Sequence, residues 1–118
     1  MVFLYLYNSA EELKPGKIKG IIIDSETKQP MEYANVVVYN LDSTLITGSI
    51  SNKNGQFEIS GLEYGDYYVI ANFIGYEKKY VDDIRIMQGE LISNLGEVIL
   101  TTSDTKLGLV EVVAERQR

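Results

Sequence analysis

Six acidic residues, Asp24, Glu26, Glu58, Glu63, Asp82 and Asp83, are the side chains on which acid–base or metal chemistry would draw. The chain has no His and no Cys. Their absence removes the commonest general base, the commonest transition-metal ligand, every thiolate site and every disulfide. The remaining carboxylates are badly spaced for a dyad. Asp82 and Asp83 are adjacent, and neighbours on a strand point to opposite faces. Ser51-Asn52-Lys53-Asn54-Gly55 has the outline of a calcium loop, but Lys53 sits inside it and the bidentate Glu is missing. A plain turn is the simpler reading. Hydroxyls are plentiful, yet a nucleophilic serine needs an adjacent base, and without His only Lys could serve. Gly61, Gly65 and Gly75 are spaced as turn residues and not as a phosphate loop. No catalytic residue, cofactor site or metal site is expected.

These residues must be carried by one domain of 118 residues. A chain of that length buries roughly 65% of its unfolded surface, enough for one core without staples. Hydrophobic residues at 45% and charged residues at 24% lie in the globular range. The net charge of −6 argues against nucleic acid and against an anionic membrane surface. Lys78-Lys79 is the nearest approach to a basic cluster and reads as a solvated pair. Val2 to Tyr7 is apolar but too short to span a bilayer. With Asn8-Ser9-Ala10 behind it, this run is either the tail of a secretory signal or an extra edge strand.

The positioning elements are strands. Ile18–Ile23, Ala34–Tyr39, Leu45–Ser51, Gln56–Ser60, Tyr67–Ile74, Tyr80–Met87 and Leu95–Leu100 are short, rich in β-branched residues and separated by turn signals. Asn54-Gly55 supplies residues that tolerate positive φ, as a hairpin turn requires, and Gly65-Asp66 makes the next turn. A bulge is expected at Asp82-Asp83. Seven such segments without a helical period predict an all-β, antiparallel Greek-key sandwich, its two sheets about 10 Å apart. The predicted core is Ile18, Ile22, Ala34, Val36, Val38, Ile50, Phe57, Ile59, Leu62, Tyr67, Val69, Ala71, Phe73, Ile84, Ile86, Val98 and Leu100. Ile46 and Ile50 stand opposed to Thr47, Ser49 and Ser51 on the third strand. Tyr33, Tyr64, Tyr68, Tyr76 and Tyr80 could form an aromatic surface for sugar or peptide, or pack at strand ends with their hydroxyls on backbone or water. Tyr76, after Gly75, is placed to anchor its loop over the sandwich end.

Gly20-x-Ile22-x-Asp24, Pro30, Ala34-Asn35-Val36-Val37-Val38, Asn54-Gly55-x-Phe57-x-Ile59, Leu62-x-x-Gly65-x-Tyr67-x-Val69 and Gly75-Tyr76 follow one another in order. Together they resemble the carboxypeptidase regulatory-like domain, a transthyretin-like sandwich, over Lys17 to about Leu100. Tyr33 departs from the pattern, since many members carry Gly before the Ala. A small hydrolase on the transthyretin fold relies on histidines, and none is present. Collagen-binding-type adhesin repeats share the Gly-x-Tyr and Gly-Tyr pattern. The acid that assists their Lys–Asn cross-link has no counterpart in Val69-Ile70-Ala71-Asn72-Phe73-Ile74.

The chain therefore divides into an N-terminal segment (1–16), the sandwich (17–100) and a tail (101–118). Thr101–Lys106 is polar, and Leu107–Ala114 is a second apolar patch. Leu109-Val110-Glu111-Val112-Val113 resembles the L-x-E-V-V-V segment that follows this domain in TonB-dependent outer-membrane receptors. It departs from the commonest form by continuing Ala114-Glu115 instead of Thr-Gly. The resemblance implies a non-catalytic N-terminal domain of a nutrient receptor on the periplasmic side of the outer membrane. Its implied partners are a periplasmic energy-coupling protein and the receptor's own plug and barrel. Leu109, Val110, Glu111, Val112 and Val113 are the candidate partner-binding residues, either as an added strand on a sheet edge or as a segment captured by the partner. Membrane association would come only through a downstream barrel. The alternatives are a stability domain of a secreted carboxypeptidase-type enzyme and an adhesin-like surface repeat.

Overall fold

Alternation is the rule that builds this domain. The computed structural model describes residues 14–103, which form seven strands and no helix: β1 (Gly16–Asp24), β2 (Asn35–Asn40), β3 (Leu45–Ile50), β4 (Gln56–Leu62), β5 (Gly65–Asn72), β6 (Lys79–Ile86) and β7 (Ile92–Leu100). Their order is β4-β1-β7 in one sheet and β3-β2-β5-β6 in the other. On β1, Ile18 and Ile22 are fully buried while Lys19 is exposed. Val36 and Val38 on β2, and Tyr67, Val69 and Ala71 on β5, repeat the period across the facing sheet. Phe57, Ile59, Leu62, Ile84, Ile86, Val98 and Leu100 complete one core. Each predicted strand is present. The Asp82-Asp83 bulge is present too: β6 uses an extra residue opposite Tyr67–Val69, and Asp83 takes φ 62°.

The structure corrects several expectations. One pairing is parallel: β1 runs alongside β7 from Lys17 opposite Ile92 to Asp24 opposite Leu100. Parallel neighbours need a crossover, and here the five intervening strands supply it. Asn54-Gly55 does not close a hairpin, because β3 and β4 lie in different sheets. Gly55 alone takes positive φ (76°), while Asn52 accepts from the Gly55 N–H at 2.8 Å and donates to the Gln56 carbonyl at 2.9 Å. The following connection is Glu63-Tyr64, and Gly65-Asp66 already belong to β5.

Ile50 is not in the core but 59% exposed. β3 is an edge strand whose register sets Thr47 opposite Val38 and Ser49 opposite Val36, so the hydroxyl residues take the inner side and Ile50 points out beside Asn35. Phe73 is only partly buried and stacks edge-to-face on Tyr76, 5.6 Å between ring centres. Met31 and Ser51 are buried although neither was expected to be. Ser51 is tolerated because its hydroxyl donates to the Met31 carbonyl at 2.6 Å and accepts from the Ala34 N–H at 2.9 Å.

Candidate interaction surface

The acidic residues are dispersed into structural roles. Asp24 ends β1 almost buried, and one carboxylate oxygen accepts the N–H groups of Glu26 (2.7 Å) and Thr27 (3.2 Å). Its other oxygen accepts the Tyr76 hydroxyl. The Tyr76 hydrogen bond, then the two main-chain N–H groups, hold its carboxyl below the usual carboxylate range. The same bond pushes the Tyr76 hydroxyl above its ordinary value. Glu58 pairs with Lys17 at 3.1 Å on the outer face of β1 and β4. Glu63 lies 3.9 Å from Lys14, and Glu26, Asp82 and Asp83 are exposed. Among the described residues, no three His, Cys, Asp or Glu side chains converge as a metal site would require.

The Ser51–Gly55 loop is organised by Asn52, whose side-chain oxygen accepts the N–H groups of Asn54 and Gln56, both at 2.9 Å. That is an Asx-type turn, and it gives Asn52 a structural role. Ser25 and Lys28 stand at a spacing that could pair a hydroxyl with an amine. The Lys28 ammonium instead donates to the Ser25 carbonyl at 2.7 Å.

The tyrosines do not assemble into one platform. Tyr68 stacks on Tyr39 across β5 and β2, rings 5.2 Å apart and 11° from parallel, and donates to the Ser43 hydroxyl at 3.0 Å. Tyr33 sits in the β1–β2 connection and Tyr64 in the β4–β5 connection, at opposite ends of the sandwich. Tyr67, which the sequence placed in the core, also donates to the Glu63 carbonyl at 2.7 Å, and burial raises its hydroxyl above the ordinary value.

Two surface features remain. A cleft of about 570 Å³ opens where β3 passes over β4, between Ser49 and Ile50 on one side and Gln56, Phe57 and Lys19 on the other. The second feature is the route by which the chain leaves the sandwich. Tyr76 bridges to Thr102, the Glu77 N–H donates to the Thr101 carbonyl and the Ser103 N–H to the Gly75 carbonyl, both at 2.9 Å. The Asp24–Tyr76 bond therefore fastens the loop against which residues 101–103 lie. Leu109, Val110, Glu111, Val112 and Val113 lie outside the described residues, as do residues 1–13. The exposed isoleucines of β3 are the surface feature that sequence reading missed. Thr47 and Ser49, which alternate with them, were the signal available.

A family model described as the carboxypeptidase regulatory-like domain matches residues 17–104. No curated protein matches the chain at a significant level. Among solved structures, the major pilin subunit BcpA of Bacillus cereus is similar at 20% identity and a TM-score of 0.64, over 76% of this chain and 31% of that one. The pilus 2b backbone protein of group B streptococcus is similar at 21% identity and a TM-score of 0.54, over 79% and 43% of the two chains. A chain of a type II cohesin–X-dockerin complex from Acetivibrio cellulolyticus is similar at 19% identity and a TM-score of 0.58, over 79% and 62%. This chain thus spans less than two thirds of each of those structures, and the likeness is one of fold.

Proposed function

Because the chain belongs to the carboxypeptidase regulatory-like domain family, we propose that it is a non-catalytic accessory domain at the N-terminus of a TonB-dependent outer-membrane nutrient receptor. Its sandwich spaces the receptor's plug from the energy-coupling machinery in the periplasm. Leu109–Val113 is the segment it presents to a periplasmic coupling protein. The observation that carries this reading is the order of parts in the sequence: a core completed at Leu100, a polar connection, then the Leu109–Val113 pattern. The fastening of residues 101–103 supports it, since it gives the segment a fixed point of departure.

The test is a titration of the isotope-labelled full chain with the periplasmic domain of a TonB-type coupling protein. Amide shifts confined to Leu107–Ala114 are expected. No shifts, or shifts only on the sandwich faces, would refute the docking role. The similarity to pilins favours a second reading, a structural module of a surface adhesin. Tandem copies of the domain in the full reading frame would support that reading, whereas a plug and barrel would support the first.

A further inference from the structure

Four strands bound the two sheets: β4 and β7 in one, β3 and β6 in the other. β6 carries Lys79, Asp82, Asp83 and Arg85 and is kinked by its bulge. β4 carries Glu58 and β7 carries Glu97. Charges and bulges of this kind keep an edge from pairing with another chain. β3, Leu45-Ile46-Thr47-Gly48-Ser49-Ile50, has no charge at all, and its one register irregularity lies at its start, opposite Tyr39.

The main-chain groups of β3 are available too. The Ser51 N–H donates to the Ala34 carbonyl and the Tyr33 N–H to the Ser51 carbonyl, both at 3.0 Å. Antiparallel ladders alternate, so Ser49 and Thr47 also bond toward β2, and the N–H and C=O groups of Gly48 and Ile50 point away from it. Among the described residues, no hydrogen bond meets them from the open side. Leu45, Ile46 and Ile50 stand beside that edge, 59%, 40% and 59% exposed.

We infer that β3 is a self-association edge, where two copies of this chain pair antiparallel about a two-fold axis at Gly48. The two four-stranded sheets then become one continuous sheet. A two-fold contact must be self-complementary, and this register is. Gly48 faces its own copy with no side chain at the axis. Ile50 of each copy faces Ile46 of the other, giving two apolar cross-strand pairs on the outer face. The central hydrogen bonds are the reciprocal pair between the outward N–H and C=O groups of the two Gly48 residues, and the outward Ile50 groups lie next to them, facing Ile46 of the other copy, where the β2–β3 register shifts. The charges flanking the strand also match, because antiparallel pairing brings Lys53 of one copy to the end where Asp42 of the other lies. The chain's net charge of −6 disfavours self-contact through its charged edges and leaves the uncharged one as the permitted route. The inference is independent of the receptor reading. An edge contact of this length falls below the roughly 1,200 Å² of a standard interface, so the dimer is weak.

Sedimentation velocity and amide exchange on the full chain, from about 10 μM to about 1 mM, test this in the range where small interfaces populate. A dimer that grows with concentration is expected, with exchange protection at the Gly48 and Ile50 amides growing in parallel. Ile50→Lys and Ile46→Lys alter exposed side chains. Each should weaken the dimer by at least about tenfold while leaving the melting temperature of dilute protein nearly unchanged. A chain that stays monomeric throughout overturns the inference. So does protection of these amides that is independent of concentration, which would mean that a segment of the same chain covers the edge. A dimer indifferent to both lysine substitutions overturns it as well.

Discussion

The Tyr76 hydroxyl donates to the Asp24 carboxylate across 52 residues of sequence. The bond ties the β5–β6 connection to the end of β1, and through Thr102 and Ser103 it fastens the segment that leaves the sandwich. It also fixes a pH dependence. Asp24 titrates below its ordinary value of 3.8 in the folded state, because the Tyr76 hydroxyl and two main-chain N–H groups favour the charged form. A depressed carboxylate contributes stability that is present above the unfolded value and lost as pH falls through the folded one. Chemical denaturation should therefore show wild-type stability falling below about pH 4. Asp24→Asn should be less stable at neutral pH and flatter across the acid limb. Tyr76→Phe should reduce the acid slope without abolishing it, because the Glu26 and Thr27 N–H groups remain.

Gly55 answers to backbone geometry. It has φ 76°, and a Cβ built on it would lie 2.6 Å from the Ile22 carbonyl oxygen and 2.9 Å from the Pro30 side chain. Left-handed backbone costs a non-glycine about 1–2 kcal/mol, and the clash adds about 1–3. Neither neighbour gives way cheaply, since Ile22 N–H is bonded to the Gly55 carbonyl at 2.7 Å. Gly55→Ala should lower the unfolding free energy by about 2–5 kcal/mol, read from urea midpoints at constant m-value.

Tyr33 presents the opposite case. It too is left-handed, at φ 72°, but its side chain is 69% exposed, so little packing is lost on removal. Glycine relieves about 1–2 kcal/mol of strain and gives back about 0.5–1 in unfolded-state entropy. Tyr33→Gly should raise stability by about 0.5–1 kcal/mol, a gain visible as a higher urea midpoint. The family resemblance already marked this position as one where glycine is common, and the backbone supplies the reason.

What was legible in the sequence was whatever depends on alternation between large apolar and polar residues. Val36-Val37-Val38 and Tyr67 to Ala71 lie in central strands, whose inner faces must be dry, and their buried positions could be read directly. β3 could not be read that way. As an edge strand beside the open cleft near β4, it sets Ser49 at the cleft and Thr47 opposite Val38, both half-buried, so its inner side is not fully dry and its isoleucines were free to point outward. The parallel β1–β7 pairing left no local signature, because neither strand differs in composition from one in an antiparallel pair. The anchoring role of Tyr76 could be inferred from Gly75-Tyr76, but its partner could not, since nothing near Asp24 signals a tyrosine so distant in sequence. The Leu109–Val113 candidate site was legible only as a pattern and a resemblance, and it falls outside the described residues.

Ile50 and Ser51 turn the inversion of β3 into a measurement. Hydrophobicity alone ranks Ile50 as the residue that stabilises and Ser51 as the dispensable one. The structure reverses the order, with Ile50 59% exposed and Ser51 2% exposed. Ser51→Ala strips a partner from the Ala34 N–H and from the Met31 carbonyl, both beside the core. Buried main-chain groups left without partners cost about 1–3 kcal/mol. Ile50→Ser loses only partial burial and some strand preference on an edge, about 0.5 kcal/mol or less in dilute protein. Urea unfolding of both variants below the concentrations at which β3 would self-associate should therefore find Ser51→Ala the more destabilised by at least about 1 kcal/mol. Equal losses, or a larger loss for Ile50→Ser, would mean that the register of β3 against β2 is wrong by one residue, because a one-residue slip exchanges the two faces.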